Sequence, residues 1–174
     1  MKEALRVLND LEADGTMGAY AIGGAMGAMF YAEPTATYDL DIFVLLPKGE
    51  GGLITLTPIY DALRARGYAI VDEHLMVEGV PVQFLPAYNA LLEEALGQAE
   101  TRMLDEVPTR VLKVEHLIAI AIQTDRAKDH LRVHTLLSEA KVDLALVEDI
   151  CKRHGLTPPP APVKGKALWT PPKI

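Results

Sequence analysis

The sequence predicts an α+β fold, in which a mixed sheet flanked by helices precedes a C-terminal helical segment. Two observations lead to it. Short apolar runs alternate with amphipathic stretches up to about residue 107, and consecutive helical patterns then fill residues 114–154. We therefore expect a sheet-containing core over residues 1–107, a helical segment over residues 108–155 and an extended proline-rich tail over residues 156–174.

The first elements follow from residue spacing. Residues 2–13 form a helix with one apolar stripe, made by Ala4, Leu5, Leu8 and Leu11. Residues 19–22 form a short strand, and a helix lined by small side chains follows from Gly24 to about residue 32. A second strand then carries the apolar run IFVLL. These elements begin the sheet and cover one of its faces.

The middle of the chain completes the predicted sheet. Thr57 and Pro58 begin a helix that Gly67 ends. Strands are expected over residues 68–71, 75–77 and 81–85, which gives a sheet of four or five strands.

The remaining elements are mostly helical. Asn89 caps a helix through Ala99, and residues 108–112 form a short extended piece. Three further helices are expected over residues 114–124, 127–140 and 144–154, the last with Asp143 as its N-cap. In the first of these three, one face carries Val114, Leu117, Ile118, Ala121 and Ile122, which must pack on something.

Composition limits the classes of function. The 174 residues are 49% hydrophobic and 24% charged, as in globular proteins that bury a core. A net charge of −7 argues against non-specific nucleic-acid binding, which relies on basic surface. The single cysteine fits a reducing compartment, and no stretch approaches the ~18 apolar residues that would span a membrane. We therefore expect a cytoplasmic protein with no membrane contact, and the sequence is compatible with a homodimer.

Two acids stand at the head of the second strand. Alternation places Asp39 and Asp41 on one face, roughly 6–7 Å apart along the backbone. Ionised carboxylates beside so apolar a run are costly unless they are paired, hydrogen-bonded or bound to a cation. The pair therefore predicts a site for Mg²⁺, or Mn²⁺, which prefer oxygen ligands. The simpler alternative is an exposed strand end whose acids are solvated.

The same stretch resembles the nucleotidyltransferase superfamily. The resemblance rests on Gly23 and Gly24, which close a strand and start a helix, and on the Asp-x-Asp pair that follows. The run VLKVEHLIAIAIQTDRAKDHLRVHTLL is also similar to the helical segment after the catalytic domain in bacterial members related to toxin-type nucleotidyltransferases. The resemblance implies a nucleotidyltransferase-like fold. It also implies an enzyme that moves a nucleoside monophosphate from an NTP to an acceptor, which is a small molecule, a protein or RNA.

Residue roles follow from this resemblance. Asp39 and Asp41 become the catalytic metal ligands, and Gly23 and Gly24 present backbone N–H groups to the triphosphate. Lys128 is a further candidate phosphate contact. Arg126 and Asp129 lie near Lys128 at a helix junction, where Asp129 could orient either cation or simply favour the helix N-terminus.

The sequence also departs from the family pattern. Gln83 stands at the third position, where the family usually carries another carboxylate, and Ala121 stands where toxin-type relatives tend to carry a lysine. Glutamine offers a carbonyl oxygen but no charge, which weakens the case for metal binding. A catalytically degenerate module that binds a nucleotide, or a protein partner of the toxin–antitoxin type, is therefore the alternative function.

Overall fold

The computed structural model describes residues 1–33, 37, 39–46, 55–71 and 74–160. The strands in these residues are β1 (Tyr20–Ile22), β2 (Leu40–Val44), β3 (Ala69–Val71), β4 (His74–Val77), β5 (Val80–Pro86), β6 (Glu100–Leu104) and β7 (Val107–Val111). The helices are α1 (Lys2–Ala13), α2 (Gly24–Ala28), α3 (Thr57–Ala65), α4 (Ala90–Gly97), α5 (Val114–Thr124), α6 (Ala127–Glu139) and α7 (Leu144–Arg153).

The strands form one mixed sheet in the order β3-β4-β5-β2-β1-β7-β6. At its centre β2 pairs antiparallel with β1 and parallel with β5, while β1 pairs parallel with β7. Antiparallel pairs, β3 with β4 and β6 with β7, form the two edges. The predicted α+β architecture, with a helical segment after the sheet, is confirmed.

The predicted number of strands was wrong, because the described part of the chain has seven rather than four or five. The missed element is β6, which forms a hairpin with β7, the strand that corresponds to the extended piece predicted at residues 108–112. The hairpin turn uses Asp105 and Glu106 at φ 48° and 67°, a left-handed geometry that sequence normally signals with glycine or asparagine. Residue 107, the predicted boundary, is the first residue of β7, and the sheet continues to Val111. Whether residues 1–107 and 108–155 are separate units stays a prediction.

Some sequence predictions fall outside the described residues. These are the flexible turn at residues 48–52 and the tail from residue 161 onward, with Trp169. Residues 156–160 of the predicted tail are described, and they lie in neither helix nor strand. Among the described helices, none is long and apolar enough to cross a membrane.

The sheet separates two hydrophobic cores. Leu40, Ile42 and Val44 of β2 belong to the core with α1 and α3, which contains the four predicted α1 residues, all fully buried. Phe43 belongs to the opposite core, with α4, α5, α6 and α7. Because side chains alternate along a strand, Asp41 shares the face of Phe43. The acid therefore faces the C-terminal helices.

Helix α5 is buried on more than its predicted stripe. Besides the apolar residues, Glu115 and His116 are buried, because α2, α4, α6 and α7 all contact this helix. The carboxylate of Glu115 accepts a hydrogen bond of 3.0 Å from the backbone N–H of Asp143. The stripe prediction was right about the apolar positions and missed the polar ones.

A polar cluster joins α4, α5 and α7. Glu94 accepts hydrogen bonds from Arg153, from His154 at 2.9 Å and from His116 at 3.1 Å. The Arg153 guanidinium, with help from both histidines, holds the pKa of Glu94 well below its ordinary value. The cluster fixes the helical side of the molecule, against which the candidate site is built.

Replacing Leu117 with Ala should lower the free energy of unfolding by about 2–5 kcal/mol, the usual loss for a buried leucine. Leu117 is 3% exposed in the core of α5, and urea denaturation measures the change. Leu144→Ala is the matched control, because Leu144 is 42% exposed, and it should cost under about 1 kcal/mol. Equal losses in the two variants would contradict the packing of α5.

Candidate functional site

The two acids occupy neighbouring but different environments. Asp39 lies just before β2, and the hydroxyl of Thr37 donates a 2.7 Å hydrogen bond to its Oδ1. Asp41 is the second residue of β2, between the fully buried Leu40 and Ile42 that anchor the strand. Alternation therefore aims Asp41 away from that core, into the space beneath α6.

Gly24 leaves the space that the Asp41 carboxylate occupies. A Cβ at Gly24 would lie 1.7 Å from Oδ2 of Asp41, and the backbone there has φ +57°, which disfavours L side chains. The start of α2 thus depends on glycine twice, for conformation and for close approach. This close approach fits the small side chains expected along the helix, and it is a role for Gly24 besides the phosphate contact that the resemblance implies.

Gly23 has a different role. Its N–H donates a 3.0 Å hydrogen bond to the carbonyl of Asp41, and an added Cβ would lie 2.3 Å from the Phe43 ring. This N–H is therefore engaged with β2. Of the two glycines, Gly24 lines a cavity. The triphosphate-binding role of the pair stays a prediction.

The two carboxyl groups have opposite pKa shifts. The Thr37 hydroxyl lowers the pKa of Asp39, with smaller help from Lys128 and His74. Burial raises the pKa of Asp41, and the neighbouring Asp39 adds to the rise, while the cations of α6 oppose it. The surroundings of Asp39 therefore favour its ionised form, whereas ionisation of Asp41 depends on positive charge nearby.

Helix α6 supplies the positive charge opposite Asp41. Its fully buried Asp129 accepts hydrogen bonds from Arg126 at 2.6 and 3.2 Å and from Arg132 at 2.8 Å. One carboxylate thus holds two guanidinium groups, a charge-assisted arrangement that fixes both. Sequence reasoning had Asp129 orienting Arg126 or Lys128, and the partner found is Arg126. Arg132 was missed, although it lies four residues after Lys128 on the same helix face.

Lys128 lies between the two arginines in sequence. Its side chain has no ion pair or hydrogen bond with the residues that the structure describes, yet its charge lowers the pKa of both Asp39 and Asp41. An exposed ammonium near two carboxylates and without a close partner can contact an incoming anion.

Gln83 lies beside the acid pair, as the sequence predicted. In the parallel β2–β5 ladder its partner is Asp41. Both side chains line the same cavity. The third position of the site therefore carries a neutral amide next to the more buried of the two acids.

Two cavities meet at Asp41. The larger, about 490 Å³, is lined by Met29, Asp39, His74, Pro81, Leu131 and Leu136, among others. The smaller, about 220 Å³, is lined by Gly24, Phe43, Gln83, Tyr88, Gln123 and Arg126, among others. Asp41, Lys128 and Arg132 line both. Two ligands bound in these cavities would therefore lie close to the same carboxylate and the same two cations.

The donor set fits a small divalent cation. Among the residues that the structure describes, no group of three or more His, Cys, Asp or Glu side chains is placed to hold a metal. Asp39 and Asp41 offer two carboxylates and Gln83 an amide oxygen. Mg²⁺ commonly takes one or two carboxylates and completes its shell with water and substrate phosphates, so a donor set of this size is compatible with the ion, and a metal at Asp39 and Asp41 stays a prediction.

Comparison with known proteins places the fold. No family model matches the sequence, and no curated protein does. Among solved structures, an antigenic nucleotidyltransferase-like protein from Paracoccidioides brasiliensis is similar at 11% identity and TM-score 0.53, over 88% of this chain and 89% of that one. The antibiotic-resistance factor ANT(2'')-Ia is similar at 12% identity and TM-score 0.54, over 87% and 89%. The chain therefore has a nucleotidyltransferase-like fold.

Gly24→Ala should destabilise the protein by about 1–2 kcal/mol or more, since a left-handed backbone is costly for alanine and the new methyl must displace Asp41. Urea denaturation measures the loss. Gly97→Ala is the matched control, because nothing lies within 4 Å of the added methyl, and alanine there should be neutral or stabilising. A Gly24→Ala protein as stable as Gly97→Ala would contradict the contact with Asp41.

Proposed function

We propose that this protein is a nucleotidyltransferase that depends on Mg²⁺ or Mn²⁺ and transfers a nucleoside monophosphate from an NTP to an acceptor. The observation that supports the proposal most is the position of Asp41 between two cavities, with Lys128 and Arg132 on the same shared wall. The fold is compatible with this activity, and the site supplies the reason to expect it.

The larger cavity suits the nucleotide. Both Asp39 and Asp41 line it, so a cation held by the pair faces this space. Its volume of about 490 Å³ lies within the range of roughly 300–1,000 Å³ for nucleotide-sized ligands. Lys128 and Arg132 face the phosphates there, and the side chains of Met29 and Leu136 offer an apolar surface to the base.

The reaction uses both cavities. An acceptor oxygen in the smaller cavity attacks the α-phosphorus, a new P–O bond forms, and the bond to the leaving pyrophosphate breaks while the hydroxyl proton passes to water. A bound divalent ion would neutralise phosphate charge and lower the pKa of the attacking hydroxyl. The protein itself contributes positioning and fixed charge: Asp129 holds Arg126 and Arg132 in place, and Lys128 completes the cationic face.

One observation favours a second function. Gln83 lies directly beside Asp41, where a third carboxylate would bind the metal more firmly, and an amide cannot accept the acceptor's proton. A catalytically degenerate protein would keep the nucleotide site and lose transfer. Such a protein would act as a nucleotide-binding module or as a partner in a toxin–antitoxin pair.

An NTP should raise the melting temperature when Mg²⁺ or Mn²⁺ is present and not in EDTA, because a ligand that binds the native state stabilises it by mass action. Asp41→Asn should abolish the shift. The apo variant should be no less stable than the wild type, since the substitution removes a buried charge beside Asp39. Differential scanning fluorimetry measures the NTP-induced shift for the wild type and for Asp41→Asn, each with the divalent ion and with EDTA.

Asp61→Asn is the matched control for that experiment. Asp61 is an exposed acid of α3, paired with Arg64 on the opposite side of the sheet, so its loss should leave the nucleotide shift intact. A shift that survives Asp41→Asn would remove the acid pair from the site, and with it the proposed activity.

Gln83→Asp tests whether transfer or binding alone is the function. A third carboxylate beside Asp41 should tighten Mn²⁺ binding in isothermal titration calorimetry, with Gln98→Asp, at an exposed position, as the control. Wild-type protein that releases pyrophosphate from NTP with an acceptor present would establish the enzyme. A wild type without turnover, in which Gln83→Asp creates it, would identify the degenerate module. Unchanged Mn²⁺ affinity would contradict the placement of Gln83 at the metal.

A further inference from the structure

We infer that the smaller cavity takes a compact acceptor with an apolar body, a hydroxyl group and no positive charge. The inference rests on the proposed transfer reaction, because it names the chemical class of acceptor that the site admits. Charge, wall chemistry and size each lead to it.

The carboxylates that line the cavity leave none for a cationic ligand. Asp129 is fully buried, and its two oxygens already accept three hydrogen bonds from Arg126 and Arg132. Both arginines line the cavity, with Arg126 55% exposed and Arg132 15% exposed. The two arginines would repel an ammonium group, and they already neutralise the charge of Asp129.

Asp41 is the other carboxylate of the cavity, and it is also committed. Arg126, Lys128 and Arg132 line the same cavity as this acid. It is also the residue that the proposed metal would use. A positively charged acceptor would therefore compete with these cations for one acid, which is unfavourable for a polyamine or an aminosugar.

Part of the cavity wall is apolar, beside the charged residues described above. Phe43, Leu85, Leu92, Leu117, Ile120 and Ala121 line it. Ala121 is 2% exposed and adds a methyl surface rather than a charge. Burying an apolar ligand surface against these walls is favourable in proportion to the area removed from water. Most of the acceptor's body is therefore expected to be hydrocarbon or aromatic.

Size and polar groups complete the description. The volume of about 220 Å³ lies below the roughly 300–1,000 Å³ of sites for drug-sized ligands, so the acceptor is compact. Gln83 offers an amide oxygen to a hydroxyl hydrogen beside Asp41. Gln123 accepts a 3.0 Å hydrogen bond from Asn89 at its oxygen, which turns its amide nitrogen into a donor for the ligand. These neutral groups orient a hydroxyl without selecting a charge.

Three probes with the same ring and hydroxyl test the inference: benzyl alcohol, 4-(hydroxymethyl)benzoate and 4-(aminomethyl)benzyl alcohol, with charges of zero, minus one and plus one. Each is titrated into the full chain while the side-chain amide signals of Gln83 and Gln123 are followed by NMR. The neutral and anionic probes should shift these signals saturably. The cationic probe should bind about tenfold more weakly or not at all. Equal or tighter binding of the cationic probe would overturn the inference.

A matched pair of variants locates the binding. Thr124→Trp places an indole in the smaller cavity and Thr135→Trp places one in the larger, and each threonine lines that one cavity of the two. Thr124→Trp should abolish the binding of benzyl alcohol, and Thr135→Trp should preserve it. The reverse pattern, or binding that survives Thr124→Trp in folded protein, would overturn the inference.

Failure of this inference is distinguishable from failure of the proposed function. Probe binding is measured without nucleotide or metal, so it does not depend on NTP binding. If the protein binds Mg²⁺–NTP but none of the neutral or anionic probes, the proposed function stands and the inference about the acceptor is wrong. If it binds these probes in the smaller cavity but binds no NTP, the inference about the cavity stands and the proposed transfer reaction is wrong.

Discussion

The contact between the Asp41 carboxylate and the backbone of Gly24 is the constraint on which the site depends. The strand presents this acid to the face of the sheet that carries the C-terminal helices, and the glycine lets the carboxylate lie against the start of α2. An acid so placed is poorly hydrated, and its charge is costly unless positive charge lies nearby. The structure meets that need from a distant part of the chain, by packing α6 over the same face.

Helix α6 delivers this charge through Asp129. A buried acid in the first turn is favourable near a helix N-terminus, and here it also fixes two arginines at defined distances. The packing of α5 against the sheet decides where that turn lies. Residues of the C-terminal segment thus complete a site whose carboxylates come from the sheet. The positions of the charged residues at the site therefore depend on the core packing of the helices and on the Glu94 cluster.

The sequence predicted the parts of the site that local patterns encode. Alternation in β2 placed Asp39 and Asp41 on one face. The resemblance to nucleotidyltransferases pointed to Gln83 in VPVQFLP as the third position, and the register of β2 with β5 pairs Gln83 with Asp41. The bounds of α5 were also predictable from its apolar period. Arg132 was predictable in principle from its spacing to Lys128, but its partner Asp129 appears in sequence as an ordinary helix-start acid.

The failure to predict β6 has a physical reason. The turn that joins it to β7 takes left-handed geometry at Asp105 and Glu106 without glycine, and β6 is an exposed edge strand with no apolar alternation. The extended piece predicted at residues 108–112 is β7, where Pro108 is tolerated because β1 pairs with β7 at Val111 rather than along its length. Whether a strand tolerates such a turn or a proline depends on its partners in the tertiary structure. A short stretch of sequence therefore does not reveal it.

The balance of charge explains how a glutamine can stand beside Asp41. Three carboxylates of the site, Asp39, Asp41 and Asp129, face three cations, Arg126, Lys128 and Arg132, so these six side chains are neutral together. A divalent ion alone would leave two excess positive charges in a partly buried space, which is unfavourable. A triphosphate alone would meet Asp39 and Asp41 and be repelled. Under the proposed function, one divalent ion cancels only about half of the charge of a triphosphate, so the complex stays anionic, and a third carboxylate at position 83 would add to that negative charge.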